Sequence, residues 1–145
     1  MWLDFRLVTV KRRLRFRLDR VVKRLHILEG LLIAFLDLDT VIIIIRKEDK
    51  PKPVLMRRFK LSEDQADAIL DLRLRQLARL EEIKIKGEEE ELAREKDDLQ
   101  KILKSRENLK RVVRAELLAD AEEFGDERRS HLVQREAAQA LTDTD

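Results

Sequence analysis

Apolar residues in the first third of the chain recur at steps of four and three: Leu14, Leu18, Val21, Leu25, Leu28, Leu32 and Phe35. A seven-residue repeat with two apolar positions lays one stripe along a helix, and such a stripe packs on a partner helix. No proline interrupts it, and Gly30 is its one weak position, since glycine lowers helix stability relative to alanine. The stripe runs into an apolar island, Ile27 to Leu36 and then Val41 to Ile45. The helix is therefore expected to leave a stalk and enter a head.

Asp37-Leu38-Asp39-Thr40 supplies N-cap residues and predicts a break. Val41 to Glu48 follows as a short helix. Its run of β-branched residues also suits a strand, but no second strand is evident to pair with it. Lys50-Pro51-Lys52-Pro53 reads as a turn, with Pro53 opening a short helix that runs to Phe59. Ser62-Glu63-Asp64-Gln65 is a capping box. The helix it opens carries Ala66, Ile69, Leu70, Leu74 and Leu77 on one side, with Leu72 adjacent.

A second long arm carries Leu80, Ile83, Leu92, Leu99, Leu103, Leu109, Val113, Leu117 and Phe124. Ile85, Leu92 and Leu99 are seven apart, but Glu89 and Lys96 occupy intermediate positions of that stripe. Ser105 followed by Asn108 suggests a recapping point, and Gly87 a place where the arm leaves the head. Phe124-Gly125 reads as a helix end with glycine in the left-handed position. Beyond Asp126 the chain is polar, with fraying expected at Thr142 to Asp145. The expected fold is all-α: a long antiparallel two-helix coiled-coil stalk with a compact helical dimerisation head. Residues 1–30 form the outgoing basic helix, 31–80 the head, 81–125 the returning helix and 126–145 a polar tail.

Charge sharpens this picture. Through Glu29 the chain carries nine bases and three acids, whereas Glu81 to Gln100 carries nine acids and four bases. The arms can attract each other, although each block is also an ordinary solvated helix face. Exposed pairs contribute only about 0–1 kcal/mol each, so the apolar stripe sets stability and the charges set orientation. Lys11, Arg12 and Arg13 are candidate phosphate contacts, with pairing to the acidic arm as the competing reading. Charged residues and hydrophobic residues each make up 43% of the chain, with 3 glycines and 2 prolines, which suits long helices rather than disorder.

Candidate chemistry is sparse. The chain has no cysteine and no tyrosine, and its two histidines, His26 and His131, lie far apart. That excludes disulfides and thiol nucleophiles. No phosphate-binding glycine loop, zinc-protease pattern or serine-hydrolase elbow is present. His26 adjoins the stripe and reads as a structural residue. The island is too short and too interrupted for a membrane span, no signal peptide is evident, and a reducing cytoplasm is expected.

Several stretches carry a resemblance. They are Trp2-Leu3-Asp4-Phe5-Arg6, Thr9-Val10-Lys11-Arg12-Arg13 and Arg24-Leu25-His26-Ile27-Leu28-Glu29-Gly30-Leu31-Leu32. Leu61-Ser62-Glu63-Asp64-Gln65-Ala66-Asp67-Ala68-Ile69-Leu70-Asp71-Leu72-Arg73-Leu74 and Phe124-Gly125-Asp126-Glu127-Arg128-Arg129 complete the set. In this order they resemble the A-type chain of bacterial type IIA DNA topoisomerases over nearly the whole length. Capping near Asp39 and the segment Glu48-Asp49-Lys50-Pro51-Lys52-Pro53 look closer to the topoisomerase IV branch than to gyrase.

The resemblance implies the coiled-coil and C-gate region of a larger protein, homodimeric through the head and nucleoid-associated. It implies two further partners, duplex DNA and an ATPase B subunit. Mg²⁺ and ATP belong to that ATPase, with no cofactor here, and the nucleophilic tyrosine of the family lies upstream of these motifs. The expected dimer interface comprises Leu32, Phe35, Leu36, Val41, Ile42, Ile44, Ile45, Leu55, Phe59, Ile69, Leu70, Leu74 and Leu77. The expected stalk seam comprises Leu14, Leu18, Val21, Leu25, Leu28, Leu92, Leu99, Leu103, Leu109, Val113 and Leu117.

Three departures from the family pattern stand out. Lys60 occupies the place of a usual glycine, which predicts a strained or remodelled turn. Ile43 and Ile44 make the head more apolar than usual. Leu7 and Val8 replace more polar residues and weigh against a DNA contact by the first turn. Two other functional classes remain open at this level: a coiled-coil scaffold without a DNA role, and a direct nucleic-acid binder acting through the basic arm.

Overall fold

A computed structural model describes residues 1–130, all helix and connection. Helix α1 spans Trp2–Leu36, α2 Leu38–Lys47, α3 Pro51–Phe59, α4 Glu63–Leu70, α5 Arg79–Lys104 and α6 Arg106–Phe124, with a 3₁₀ turn at Leu74–Leu77. The all-α expectation holds among these residues. The frayed end expected at Thr142–Asp145, and His131, lie outside them.

Helix α1 runs 35 residues without a break, about 52 Å at 1.5 Å per residue. Helices α5 and α6 return along it in the opposite direction. Val10 packs with Leu109 and Val113, Val21 and Leu25 with Leu99, and Leu28 joins a cluster that Ile85 and Leu92 flank. Rising numbers on α1 meet falling numbers on the return, so the pairing is antiparallel. Ion pairs follow the same register. Glu116 takes Arg6 at 3.2 Å and also Arg13, Arg17 meets Glu95, and Arg24 holds Glu88 through two bonds of 2.7 and 3.1 Å.

The return arm is jointed. Ser105 is extended (φ −117°, ψ 123°), and its hydroxyl accepts from the Asn108 backbone N–H at 3.4 Å. The recapping expected from Ser105 and Asn108 is thus present. Helix α5 begins at Arg79 and runs through Gly87 without a break. Gly125 does end α6, but at φ −70° in extended backbone rather than in the left-handed conformation.

The head is built from the end of α1 and the short helices α2 to α4. Its core is Leu28, Leu31, Ala34, Val41, Leu55, Leu61 and Ile69. Helix α2 starts at Leu38, where the Thr40 hydroxyl donates to Asp37 at 2.7 Å. Helix α3 starts at Pro51 rather than Pro53. Both prolines fit its first turn, where backbone N–H groups have no intrahelical acceptor. Helix α4 has the expected capping box but stops at Leu70. Leu74 and Leu77 consequently sit on the 3₁₀ turn and do not extend the α4 face.

Lys60 ends α3 with φ 54° and ψ 45°, the single positive φ at a non-glycine residue in the described chain. The next residue, Leu61, donates its N–H to the Met56 carbonyl at 3.1 Å and is buried in the core. This closes the helix by a left-handed cap normally given to glycine. The strain expected from lysine at this position is present in the backbone.

Candidate functional site: the apolar face of the head

The head is fixed to α1 by one buried polar residue. Gln65 lies in the first turn of α4 and is 6% exposed. Its side-chain amide donates to the His26 carbonyl at 2.6 Å and lies 3.4 Å from His26 Nδ1. Its oxygen accepts from the Ser62 backbone N–H at 3.0 Å. His26 Nε2 and Ser62 Oγ are hydrogen-bonded at 2.7 Å. His26 therefore has the structural part expected of it. Gly30 makes room for this network: a Cβ there would lie 2.7 Å from Gln65 Cγ and 2.8 Å from Gln65 Cβ. The apparent weak point of the α1 stripe is a place where α4 comes too close to α1 for a Cβ.

On the outer side of the head lies an open apolar groove of about 350 Å³. Phe35, Ile42, Ile45, Leu70, Leu74 and Leu77 are among the residues lining it, with Arg46 at its edge. Leu74 is 87% exposed, and Leu36, at the end of α1, is 81% exposed. Ile42, Ile43 and Ile45 are also exposed along α2. Single exposed apolar residues are ordinary, but Ile42, Ile45 and Leu74 are exposed around the same groove.

The residues expected at a dimer interface divide into two sets. Leu36, Ile42, Ile45 and Leu74 are open, and Leu32, Phe35, Leu70 and Leu77 are half-buried. Val41, Leu55 and Ile69 are enclosed in the core of the chain itself, and Ile44 and Phe59 pack against that core. For these five, the hydrophobicity seen in the sequence is accounted for by intramolecular packing. Val41 and Ile69 still reach the groove floor, but Leu55 does not line it.

Along the stalk, Val21, Leu25, Leu28, Leu99, Leu109 and Val113 are buried, while Leu14, Leu18, Leu92, Leu103 and Leu117 are half-buried. Val10, Leu31 and Ala34 are buried α1 residues that the stripe omitted. Leu31 and Ala34 follow Leu28 at steps of three, so the buried face rotates as the helix passes from the stalk into the head. Composition carried no sign of this, because Leu31 and Leu32 are identical in chemistry.

The three candidate DNA contacts also separate. Arg13 is engaged by Glu116. Lys11 is half-buried at a cleft with Leu7, Val8, Leu103 and Leu109. Arg12 is exposed. Charge perturbation follows the ion pairs. The Arg24 hydrogen bond holds the Glu88 carboxyl below its ordinary range, and Arg24 is raised in turn. Lys52 is raised by Asp67 and Glu63, tying α3 to α4. Among the described residues no group of three or more His, Asp or Glu side chains could hold a metal ion. No helix among the described residues is long and apolar enough to cross a membrane.

Known proteins share this sequence pattern. Residues 1–118 match the family of the A subunit of DNA gyrase/topoisomerase IV. The chain is 64% identical over 144 residues to the A subunit of DNA topoisomerase 4 from Pseudomonas aeruginosa, covering 99% of the chain and 19% of that protein. It is 58% identical over 144 residues to the Salmonella typhimurium protein of the same name, with the same coverage. For the Neisseria gonorrhoeae protein, again of that name, identity is 50% over 143 residues, or 99% of the chain and 18% of the relative. The chain spans about a fifth of the length of these relatives.

Proposed function

The chain belongs to the family of DNA gyrase and topoisomerase IV A subunits, and from that premise we propose that it forms the coiled-coil stalk and C-gate dimerisation head of a topoisomerase IV A subunit. Two copies meet head to head through the groove and rim that Leu36, Ile42, Ile45 and Leu74 leave open. A two-fold contact of this kind uses the same patch on both partners. The stalks hold the two halves apart, and separation of the heads releases a transported duplex. In this role the segment supports ATP-dependent double-strand passage, with relaxation and decatenation of DNA and chromosome segregation as the outcome.

Cleavage chemistry lies elsewhere in the parent complex, since this chain has no tyrosine. ATP and Mg²⁺ act through the B subunit, and the assembly works on the nucleoid in the cytoplasm. The observation that carries the reading is the position of the apolar groove at the end of an antiparallel helix pair, with large side chains exposed around it. Sedimentation equilibrium tests it. The chain should have the mass of a dimer at micromolar concentration, and Leu74→Asp with Ile42→Asp should give a folded monomer. A strict monomer before any substitution overturns the proposal.

A further inference from the structure

The basic residues of α1 serve two different purposes. Arg6, Arg13, Arg17 and Arg24 are each bound to a carboxylate of the returning helices. Arg12, Arg15, Arg20 and Lys23 make no salt bridge among the described residues and are all exposed. At 100° per residue, Arg12 and Lys23 lie nearly opposite the buried stripe of Val10, Leu14, Leu18, Val21 and Leu25. Arg15 and Arg20 flank them on either side. Between Arg12 and Lys23 this face carries one acid, Asp19, and one aromatic ring, Phe16, which is 65% exposed. The Arg20 guanidinium carbon stands 5.8 Å from the Phe16 ring centroid.

We propose that this ridge is a contact surface for the phosphate backbone of duplex DNA. Four cations extend over about 16 Å of one straight helix, far enough to meet several phosphates of one duplex. Local acids do not neutralise them, although the same chain supplies a carboxylate to each of the other four arginines. A protein partner would call for apolar anchors among the charges; between Arg12 and Lys23 the one aromatic ring, Phe16, stands beside Arg20, and the exposed Phe5 and Val8 share this face only ahead of Arg12. Exposed cations spread along a helix side meet phosphates through charge, so the contact is sequence-independent. The ridge excludes Arg13, which the sequence grouped with Arg12 and which Glu116 occupies. The proposal rests on the function proposed above only for the choice of DNA as the polyanion.

Fluorescence anisotropy with a labelled random-sequence duplex tests it on the 145-residue chain. Binding should weaken with salt, and R12Q/R15Q/R20Q/K23Q should reduce affinity at low salt by at least about tenfold. The slope of log affinity against log salt should become shallower by about 3. R12K/R15K/R20K, which preserves every charge, should retain both affinity and slope. K47Q/K50Q/R57Q/R58Q, a charge-matched change on exposed head residues, should stay within about twofold of the parent. Equal losses in the ridge and head variants, or no loss in the ridge variant, overturn the proposal. So does polyglutamate binding in place of the duplex. Sedimentation of the same samples separates the two readings. A dimer that ignores DNA removes the ridge alone, and a monomer that binds DNA removes the head-to-head interface alone.

Discussion

Substitution of alanine at the two helical glycines should change stability in opposite directions. Gly30 and Gly87 both lie inside helices, where glycine costs about 1 kcal/mol relative to alanine. At Gly87 a new Cβ meets nothing within 4 Å, so Gly87→Ala should stabilise by about 0.5–1 kcal/mol. At Gly30 the new methyl would stand 2.7 and 2.8 Å from Gln65 Cγ and Cβ. These atoms lie near the backbone of a buried residue whose amide is tied at both ends, so they have no easy retreat.

Overpacking of this kind costs about 1–3 kcal/mol, and a displaced Gln65 amide would forfeit a buried hydrogen bond for roughly another 1–3 kcal/mol. After the helix-propensity gain of about 1 kcal/mol, Gly30→Ala should destabilise by about 1–5 kcal/mol. Urea unfolding followed by circular dichroism, at one protein concentration, gives both values. In a Gln65→Ala background, which removes Cγ and the amide but leaves Cβ, the Gly30→Ala penalty should shrink without vanishing, a coupling that a double-mutant cycle reads directly. A stabilising Gly30→Ala in the unaltered chain would refute the argument, because it would show that propensity alone governs the site.

Two further predictions concern the backbone and titration. Lys60→Gly should stabilise by about 0.5–1 kcal/mol, since a left-handed conformation costs an L-residue about 1–2 kcal/mol and glycine recovers part of this after its greater unfolded-state freedom; thermal melting should rise by a few degrees, and an unchanged or lower midpoint would contradict the strain. The Glu88 carboxyl is held below its ordinary range by Arg24, so its contribution is present above the unfolded value and lost as pH falls through the folded one; the melting-temperature advantage of the parent over Glu88→Gln should be greatest at neutral pH and shrink on acidification, staying small throughout because the pair is largely exposed.

Local signals were legible where one residue type has one consequence. The Ser62–Gln65 capping box and the Ser105 recapping follow from side-chain oxygens that accept from orphan backbone N–H groups, whereas at the Asp37 break the carboxylate accepts from the Thr40 hydroxyl and caps no backbone N–H. The Leu14 to Leu28 stripe was legible because a helix has a fixed period. What escaped depends on neighbours distant in sequence. Gly30 looked like a weakness until Gln65 was seen against it. Helix α4 stops at Leu70 with no glycine or proline to mark it, and Asp71 and Leu72 turn back to the Asp67 and Ile69 carbonyls. Arg12 and Arg13 are adjacent and chemically identical, and a rotation of 100° gives one to solvent and the other to Glu116. The apolar island likewise announced burial without saying which side chains the head would bury itself.

The joint at Ser105 gives the stalk an uneven bending stiffness. The outgoing rod is continuous, whereas the returning one is two rods in series with a single extended residue between them. Leu14 packs in both apolar clusters, beside Ile102 and the buried Leu109 on one side and the buried Leu99 on the other. It acts as a splint across the joint. A lateral load on the far end of the stalk would therefore concentrate its curvature at one level, opposite Leu14, and leave the segment nearer the head straight.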